Sequence, residues 1–134
     1  MATWLFKTEP NTYSFFDLEN DEATMWDGVT NALALKHLRT VEEGDTVLIY
    51  HSGDEKKIVG VAEVSREAYL PEGEIDPKKI VCDIAFVRFL DAPITLAQVK
   101  AEPELSTWEL VRLSRLSVVP VNDEVWTKLQ TWMV

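Results

Sequence analysis

The chain has 134 residues, with 13 Lys and Arg against 23 Asp and Glu, and a formal net charge of −10. This length and a hydrophobic content of 46% predict a single folded domain over residues 1–134 and exclude disordered and low-complexity classes. The acidic balance argues against tight, nonspecific binding to duplex DNA, and the lack of an apolar run of about 18 residues argues against a transmembrane helix.

Short strands and short helices alternate irregularly along the chain. Apolar runs rich in β-branched residues predict the strands, and Ser, Thr or Asn followed by an acidic or amide residue in the first turn predicts the helix starts. In chain order, the predicted elements are a strand at 3–7, a helix from 14, an acidic loop at 20–24, a turn at 26–29, a helix at 31–39, strands at 46–50, 57–66 and 80–89, helices from 95 and from 106, a strand at 117–121 and a helix from 122.

This order predicts an α+β domain. About five or six strands, mixed or antiparallel, are expected to curl into a small barrel with peripheral helices. Gly60 inside a strand predicts a bulge or a close backbone approach. The final helix carries an apolar stripe at helical spacing, formed by Val125, Trp126, Leu129, Trp132 and Met133.

Residues typical of catalysis or metal binding are scarce. His37 and His51 have no companion ligands at metal-binding spacing, and Cys82 lies in mid-strand, where a free cysteine is usually a small core residue. No GxSxG, GxGxxG or Walker pattern is present. We therefore expect no metal, no cofactor and no covalent catalysis. Glu9 directly follows the first strand, and we expect it either to orient a loop or to accept a hydrogen bond from a ligand.

Trp26 differs from the other four tryptophans, which we assign to the core or its edge. It falls in a predicted turn beside Asp27 and Gly28, so it is either a core residue or a surface on which a planar ligand stacks. Stacking of a base on an aromatic ring is worth about 1–3 kcal/mol. Asn31, a few residues on, has the donor and the acceptor needed to bind a base edge.

Several segments together resemble the EVE domain family. They are WLFKTEP at 4–10, Tyr13-Ser14, WDGVTN at 26–31, GDTVLIYHS at 44–52, VGVAEVSREAY at 59–69, PITLAQVKAEPEL at 93–105 and RLSVVPV at 115–121. The resemblance implies a PUA-like pseudo-barrel, related to YTH domains, with an aromatic-lined pocket for a modified nucleobase of DNA or RNA. It implies the following pocket residues: Lys7, Thr8, Glu9, Tyr13, Ser14, Trp26, Asn31, Tyr50, His51, Ser52, Arg115, Leu116 and Ser117.

The sequence departs from the family beside this pocket. Many members read WxGVRNYQAR, whereas Thr30, Ala32 and Leu35 stand here in place of Arg, Tyr and Arg. Many members also have a Trp near the start of the long strand, and residues 78–81 have none. The loss of two cations implies that a protein partner supplies part of the phosphate contacts.

The leading hypothesis is a non-catalytic module that binds nucleic acid through a modified base extruded into the pocket. One alternative is an enzyme that processes a nucleotide with Glu9 or His51 as general base. Another is a protein-interaction or small-molecule-sensing domain that uses the same pocket. With no secretory signal expected, the predicted location is the cytoplasm, or the nucleus in a eukaryotic source, away from membranes.

Overall fold

The computed structural model describes residues 1–133 and contains one mixed sheet of six strands with five helices around it, an open pseudo-barrel. The strands are β1 (Thr3–Thr8), β2 (Ala23–Trp26), β3 (Thr46–His51), β4 (Lys57–Tyr69), β5 (Val81–Thr95) and β6 (Val118–Val121). The helices are α1 (Phe15–Asp21), α2 (Ala32–Leu38), α3 (Leu96–Lys100), α4 (Glu109–Arg112) and α5 (Asp123–Trp132). The sheet order is β2-β5-β4-β3-β1-β6, and only the β1–β3 pair is parallel within the described residues.

Helix starts follow the capping signals in the sequence, with one exception. The side chains of four predicted caps each accept a hydrogen bond from a backbone N–H in the first turn: Ser14, Asn31, Thr95 and Asn122. The prediction of a helix from Ser106 is wrong. Ser106 ends a short 3-10 turn, and α4 begins at Glu109 behind Trp108, which makes no side-chain cap.

Strand β2 is missing from the sequence prediction, which placed an acidic loop and a turn there. Its four residues pair with β5, from Ala23 opposite Ala85 to Trp26 opposite Cys82. A segment this short becomes a strand because a distant partner is available, and its own sequence shows no clear alternation. Trp26 therefore lies at the end of a strand and not in a turn.

The curl of the sheet depends on irregularities in the long β4–β5 pair. The register shifts several times between these strands, including between Ile58 and Gly60. A Cβ on Gly60 would overlap the Phe15 ring, so the predicted close approach is confirmed. As a result β2 and β1, which are not neighbours in the sheet, face each other, and the Phe6 and Trp26 ring centroids lie 5.7 Å apart.

The interior of the curled sheet holds the core. Phe6, Phe15 and Leu48 are fully buried there, and on α5 Val125 and Leu129 turn inward while the rest of the stripe is partly exposed. No helix within residues 1–133 has both the length and the apolar composition needed to cross a membrane.

Candidate functional site

A cavity of about 550 Å³ opens where the two edges of the curled sheet approach each other. One wall comes from the end of β1 and the start of β6, and the opposite wall from β2 and the loop after it. Its lining consists of Lys7, Thr8, Glu9, Thr12, Tyr13, residues 24–29 and Ser117. This volume lies within the range of about 300–1,000 Å³ that is usual for small-ligand sites.

Two aromatic rings meet at a corner of this cavity. Tyr13 and Trp26 have ring centroids 6.3 Å apart and planes at 83°. The Trp26 indole also packs on Phe6 and is only 8% exposed, so it is at once a core residue and part of the cavity wall. The half-buried Tyr13 ring offers more surface to a ligand than the indole does.

The Tyr13 hydroxyl is held in its neutral form. It donates a hydrogen bond of 2.8 Å to Asp21 Oδ2. Burial, reinforced by the hydrogen bond to the Asp21 carboxylate, raises the pKa of Tyr13 to about 12. The ring is therefore anchored and uncharged throughout the physiological range.

Lys7 is a cation at the cavity edge. Its Nζ donates to the Ser114 carbonyl at 2.9 Å and lies 5.7 Å from the Tyr50 ring centroid. Burial lowers the pKa of this ammonium. The Lys7 backbone N–H donates to the Ser117 carbonyl at 3.0 Å, which ties the start of β6 to β1.

The other polar groups of the β1 end are partly engaged inside the chain. The Thr8 hydroxyl donates to the Tyr13 carbonyl at 2.6 Å, which fixes the loop carrying the aromatic ring. Glu9 Oε1 accepts from the Asn11 N–H at 3.0 Å, and its second oxygen faces Gly53. Of the two roles expected for Glu9, loop orientation is thus observed directly.

Seven of the thirteen residues implied by the resemblance lie outside the cavity lining, and four of these seven have contacts within the chain. Ser14 caps α1, Tyr50 is buried in β3, and the Ser52 N–H donates to the Thr8 carbonyl. His51 is 2% exposed; its Nε2 accepts from the Phe15 N–H at 3.0 Å, and its Nδ1 lies 3.0 Å from Glu55 Oε1. These contacts give His51 a structural role between β3 and α1.

Three more of those residues lie in a neighbouring cleft. Asn31, Arg115 and Leu116 line a hollow of about 320 Å³ beside the cavity. The Asn31 Oδ1 accepts from the Ala34 N–H at 3.0 Å, which leaves the amide NH₂ and one lone pair of the oxygen for a ligand. The expectation that Asn31 and Ser52 share one cavity with Trp26 is therefore not met, whereas Lys7, Thr8, Glu9, Tyr13, Trp26 and Ser117 do line it.

Sequence reasoning missed part of the cavity wall. Thr24 and Met25 belong to β2, which the sequence did not predict, so no local signal marked them. Asp27 and Gly28 stand inside the WDGVTN segment and were within reach of the motif. Asp27 is the more important omission, because its exposed carboxylate brings a hydrogen-bond acceptor to the cavity.

This small curled sheet, with an aromatic and polar cavity between its edges, defines a PUA-like fold. The sequence matches the EVE domain model over residues 2–131, and the chain belongs to that family.

Similar proteins of known structure have the same fold over almost the whole chain. The protein Rpa0253 from Rhodopseudomonas palustris is 38% identical, with a TM-score of 0.91 over 99% of this chain and 93% of that one. Human THYN1, in a crystal structure of its complex with 5-methylcytosine-containing DNA, is 27% identical, with a TM-score of 0.91 over 99% of this chain and 98% of that one. By sequence alone, thymocyte nuclear protein 1 of Gallus gallus is 28% identical over 90% of this chain, and the match covers 64% of that protein's length.

Proposed function

We propose that the chain binds DNA that carries a modified base and holds that base in the cavity between β1 and β2. The main observation behind the proposal is that the rings of Tyr13 and Trp26 meet nearly at right angles in the wall of a cavity of about 550 Å³; we call this pair the aromatic corner. It is supported by the complex of human THYN1, a structure of the same fold, with DNA containing 5-methylcytosine.

The aromatic corner suits a planar base, because one ring can stack on the face of the base while the other contacts it from a second direction. A base stacked on the Tyr13 ring would lie nearly perpendicular to the Trp26 indole, because the planes of the two rings meet at 83°. Both rings are held before binding, Tyr13 by Asp21 and Trp26 by Phe6, so little conformational entropy is lost on binding. Such a base must first leave its helical stack, which favours single-stranded or locally opened DNA.

The polar groups favour a base with an exocyclic amine. In this proposal the Asp27 carboxylate accepts a hydrogen bond from the amino group, the pairing that carboxylates make with cytosine N4. The Ser117 hydroxyl and the Lys7 ammonium, both on the opposite wall, supply donors for the ring nitrogen and carbonyl. A 5-methylcytosine presents this combination, with a methyl group left for apolar contact.

A binding role agrees better with these contacts than catalysis does. The two general bases that an enzyme would use are both engaged: His51 is buried with both ring nitrogens hydrogen-bonded, and Glu9 holds the Asn11 N–H. The family to which the chain belongs is the second support for a binding role.

The test is fluorescence anisotropy with two labelled single-stranded DNAs that differ only in cytosine or 5-methylcytosine at one central position. Burial of one methyl group is worth about 0.8 kcal/mol, so we expect roughly fourfold tighter binding of the methylated strand. Equal affinity for the two strands would contradict recognition of this modified base.

The matched variants are Tyr13→Ala and Tyr69→Ala. Both hydroxyls donate to an aspartate, to Asp21 and Asp83 respectively, but Tyr69 lies outside the cavity lining. Tyr13→Ala removes the stacking surface, which is worth about 1–3 kcal/mol, so this variant should bind about 5- to 150-fold more weakly. Tyr69→Ala should leave affinity unchanged, and an equal loss in both variants would argue against the corner.

A further inference from the structure

We propose that two clefts beside the cavity, one with a pair of arginines and one with a pair of lysines, bind the phosphates on either side of the held base. The chain would then carry its own contacts to the nucleic-acid backbone and would not depend on a partner for them. This proposal rests on the proposed function for the position of the base. It adds contacts to the phosphates, made by residues other than those proposed to contact the base.

The first is the arginine cleft, defined by Arg112, Ser114 and Arg115 in the segment before β6. It adjoins the cavity, because Lys7 lines the cavity and donates to the Ser114 carbonyl. The Arg112 Nε donates to the Thr107 carbonyl at 2.8 Å, which fixes the orientation of the guanidinium. Its two terminal nitrogens make no hydrogen bond or ion pair within residues 1–133. Guanidinium groups bind phosphate with paired N–H donors, so this cleft suits a phosphodiester.

The second is the lysine cleft, a hollow of about 340 Å³ defined by Lys78 and Lys79 in the segment before β5. Its lining also includes Asp27 on the side of the cavity and Glu74, the partner of Lys79. It shares Asp27, Gly28 and other residues of the β2 end with the cavity, so the two are continuous. Lys79 Nζ lies 3.8 Å from Glu74 and is 67% exposed, a weak pair that a phosphate can replace. Lys78 has no carboxylate within 4.0 Å among residues 1–133.

The charge pattern around the cavity differs from that of the whole chain. The cavity and the two clefts together are lined by five of the 13 cations and by three carboxylates, those of Glu9, Asp27 and Glu74, so their lining carries a net charge of +2 in a protein whose net charge is −10. By contrast, a hollow of about 280 Å³ on the far side of Glu9 is lined by that residue, Asp54 and Glu55, and its lining contains no cation. A strand whose base enters the cavity is therefore attracted to the two clefts and repelled from the acidic side.

The position of the clefts in the fold places them on different sides of the base. The arginine cleft belongs to the β6 edge of the sheet and the lysine cleft to the β2–β5 edge, while the cavity lies between these edges. A nucleotide held in the cavity has one phosphate on its 5′ side and one on its 3′ side. One cleft for each phosphate is the arrangement that this geometry favours.

The test compares the salt dependence of binding for matched charge variants of the full chain. The variants are Arg112→Gln with Arg115→Gln, Lys78→Gln with Lys79→Gln, and, as a control of equal charge change outside all three hollows, Lys56→Gln with Lys100→Gln. The probes are single-stranded DNA with one central 5-methylcytosine, the same strand with cytosine, and the free nucleoside 5-methyl-2′-deoxycytidine, which has no phosphate.

For a single strand, each phosphate contact contributes about −0.7 to the slope of log K against log salt concentration. We therefore expect each cleft variant to flatten the slope by about 0.7 or more, and to weaken binding about tenfold at about 20 mM salt. The control should keep the wild-type slope. Affinity for the nucleoside should be the same in all variants, because it has no phosphate to lose.

The outcomes separate this inference from the proposed function. If both cleft variants match the control in slope and affinity, the inference is overturned, even where the methylated strand is still preferred. If the wild type binds both strands equally and the cleft variants lose that binding, the clefts bind phosphate and the modified-base proposal fails. If the wild type binds neither strand at about 20 mM salt, both proposals are overturned.

Discussion

Replacement of Trp26 by alanine is expected to affect both stability and binding, in amounts that follow from its position. The indole is 8% exposed and packs on Phe6 and Tyr13, so its removal is the truncation of a buried core aromatic residue. Such losses cost about 3–5 kcal/mol of unfolding free energy, a large part of the usual total of about 5–15 kcal/mol. An indole exposed in a turn would cost much less.

The effect on binding is a separate quantity. If the indole contacts the base as proposed, its removal also costs up to the aromatic contribution of about 1–3 kcal/mol, and the full contribution corresponds to about a 5- to 150-fold rise in Kd. A milder variant, Trp26→Phe, keeps an aromatic ring against Phe6. It should retain most of the stability and most of the affinity.

Two measurements are made on each variant. Urea denaturation gives the free energy of unfolding, and fluorescence anisotropy with the methylated strand gives the Kd. Binding is measured where at least about 3 kcal/mol of stability remains, so that more than about 99% of the variant is folded. Trp108→Ala is the control, since Trp108 is 2% exposed, donates from Nε1 to the Pro120 carbonyl and lies outside the cavity lining.

We expect Trp108→Ala to lose comparable stability and no affinity. The proposed contact with the base would be refuted by a Trp26→Ala protein that is folded and binds as tightly as Trp108→Ala. A loss well below about 3 kcal/mol in Trp26→Ala would instead refute its placement in the core.

Three further changes have defined outcomes. His51→Ala should cost about 1–3 kcal/mol in urea denaturation, because the buried Phe15 N–H loses its acceptor, and it should leave DNA affinity unchanged. The hydrogen bond with His51 lowers the pKa of Glu55 below its ordinary 4.5. The stability that this bond contributes is therefore present above pH 4.5 and is lost as the pH falls through the lower pKa of the folded state. This loss should be absent when the free energy of unfolding of His51→Ala is measured against pH. Gly60→Ala should cost about 1–3 kcal/mol, measured in the same way, since the added methyl overlaps Phe15; an unchanged midpoint would contradict this packing. Asp27→Asn should reduce the preference for cytosine over thymine at the bound position by about 1 kcal/mol, about fivefold in competition binding, and an unaltered preference would exclude Asp27 as the acceptor.

Local signals in the sequence determined most of the elements. Ser14, Asn31, Thr95 and Asn122 mark the starts of α1, α2, α3 and α5, because a capping side chain satisfies backbone N–H groups only a few residues away. The apolar, β-branched segments became strands for an equally local reason. The resemblance to the EVE family, which the match over residues 2–131 confirms, also came from residues alone.

Long-range pairing and the curl of the sheet decided what the sequence could not. Residues 23–26 form a strand only because β5 lies beside them, and this pairing makes Trp26 a buried wall residue. The resemblance implied His51 as a pocket residue, but the fold buries it, and its Nε2 accepts from the Phe15 N–H of another segment. Backbone hydrogen-bonding needs of this kind depend on which segments meet, and sequence order does not show that.

The same reason applies to the charges. The composition gives a net charge of −10, and together with the loss of two family cations beside the pocket it led us to expect that a partner supplies part of the phosphate contacts. The cations Lys78, Lys79, Arg112 and Arg115 are far apart in the sequence, but the curled sheet brings them to the two sides of one cavity. The sequence determined how much charge the chain carries; the approach of the two sheet edges decided where the positive charge is concentrated, because electrostatic attraction depends on distance in space.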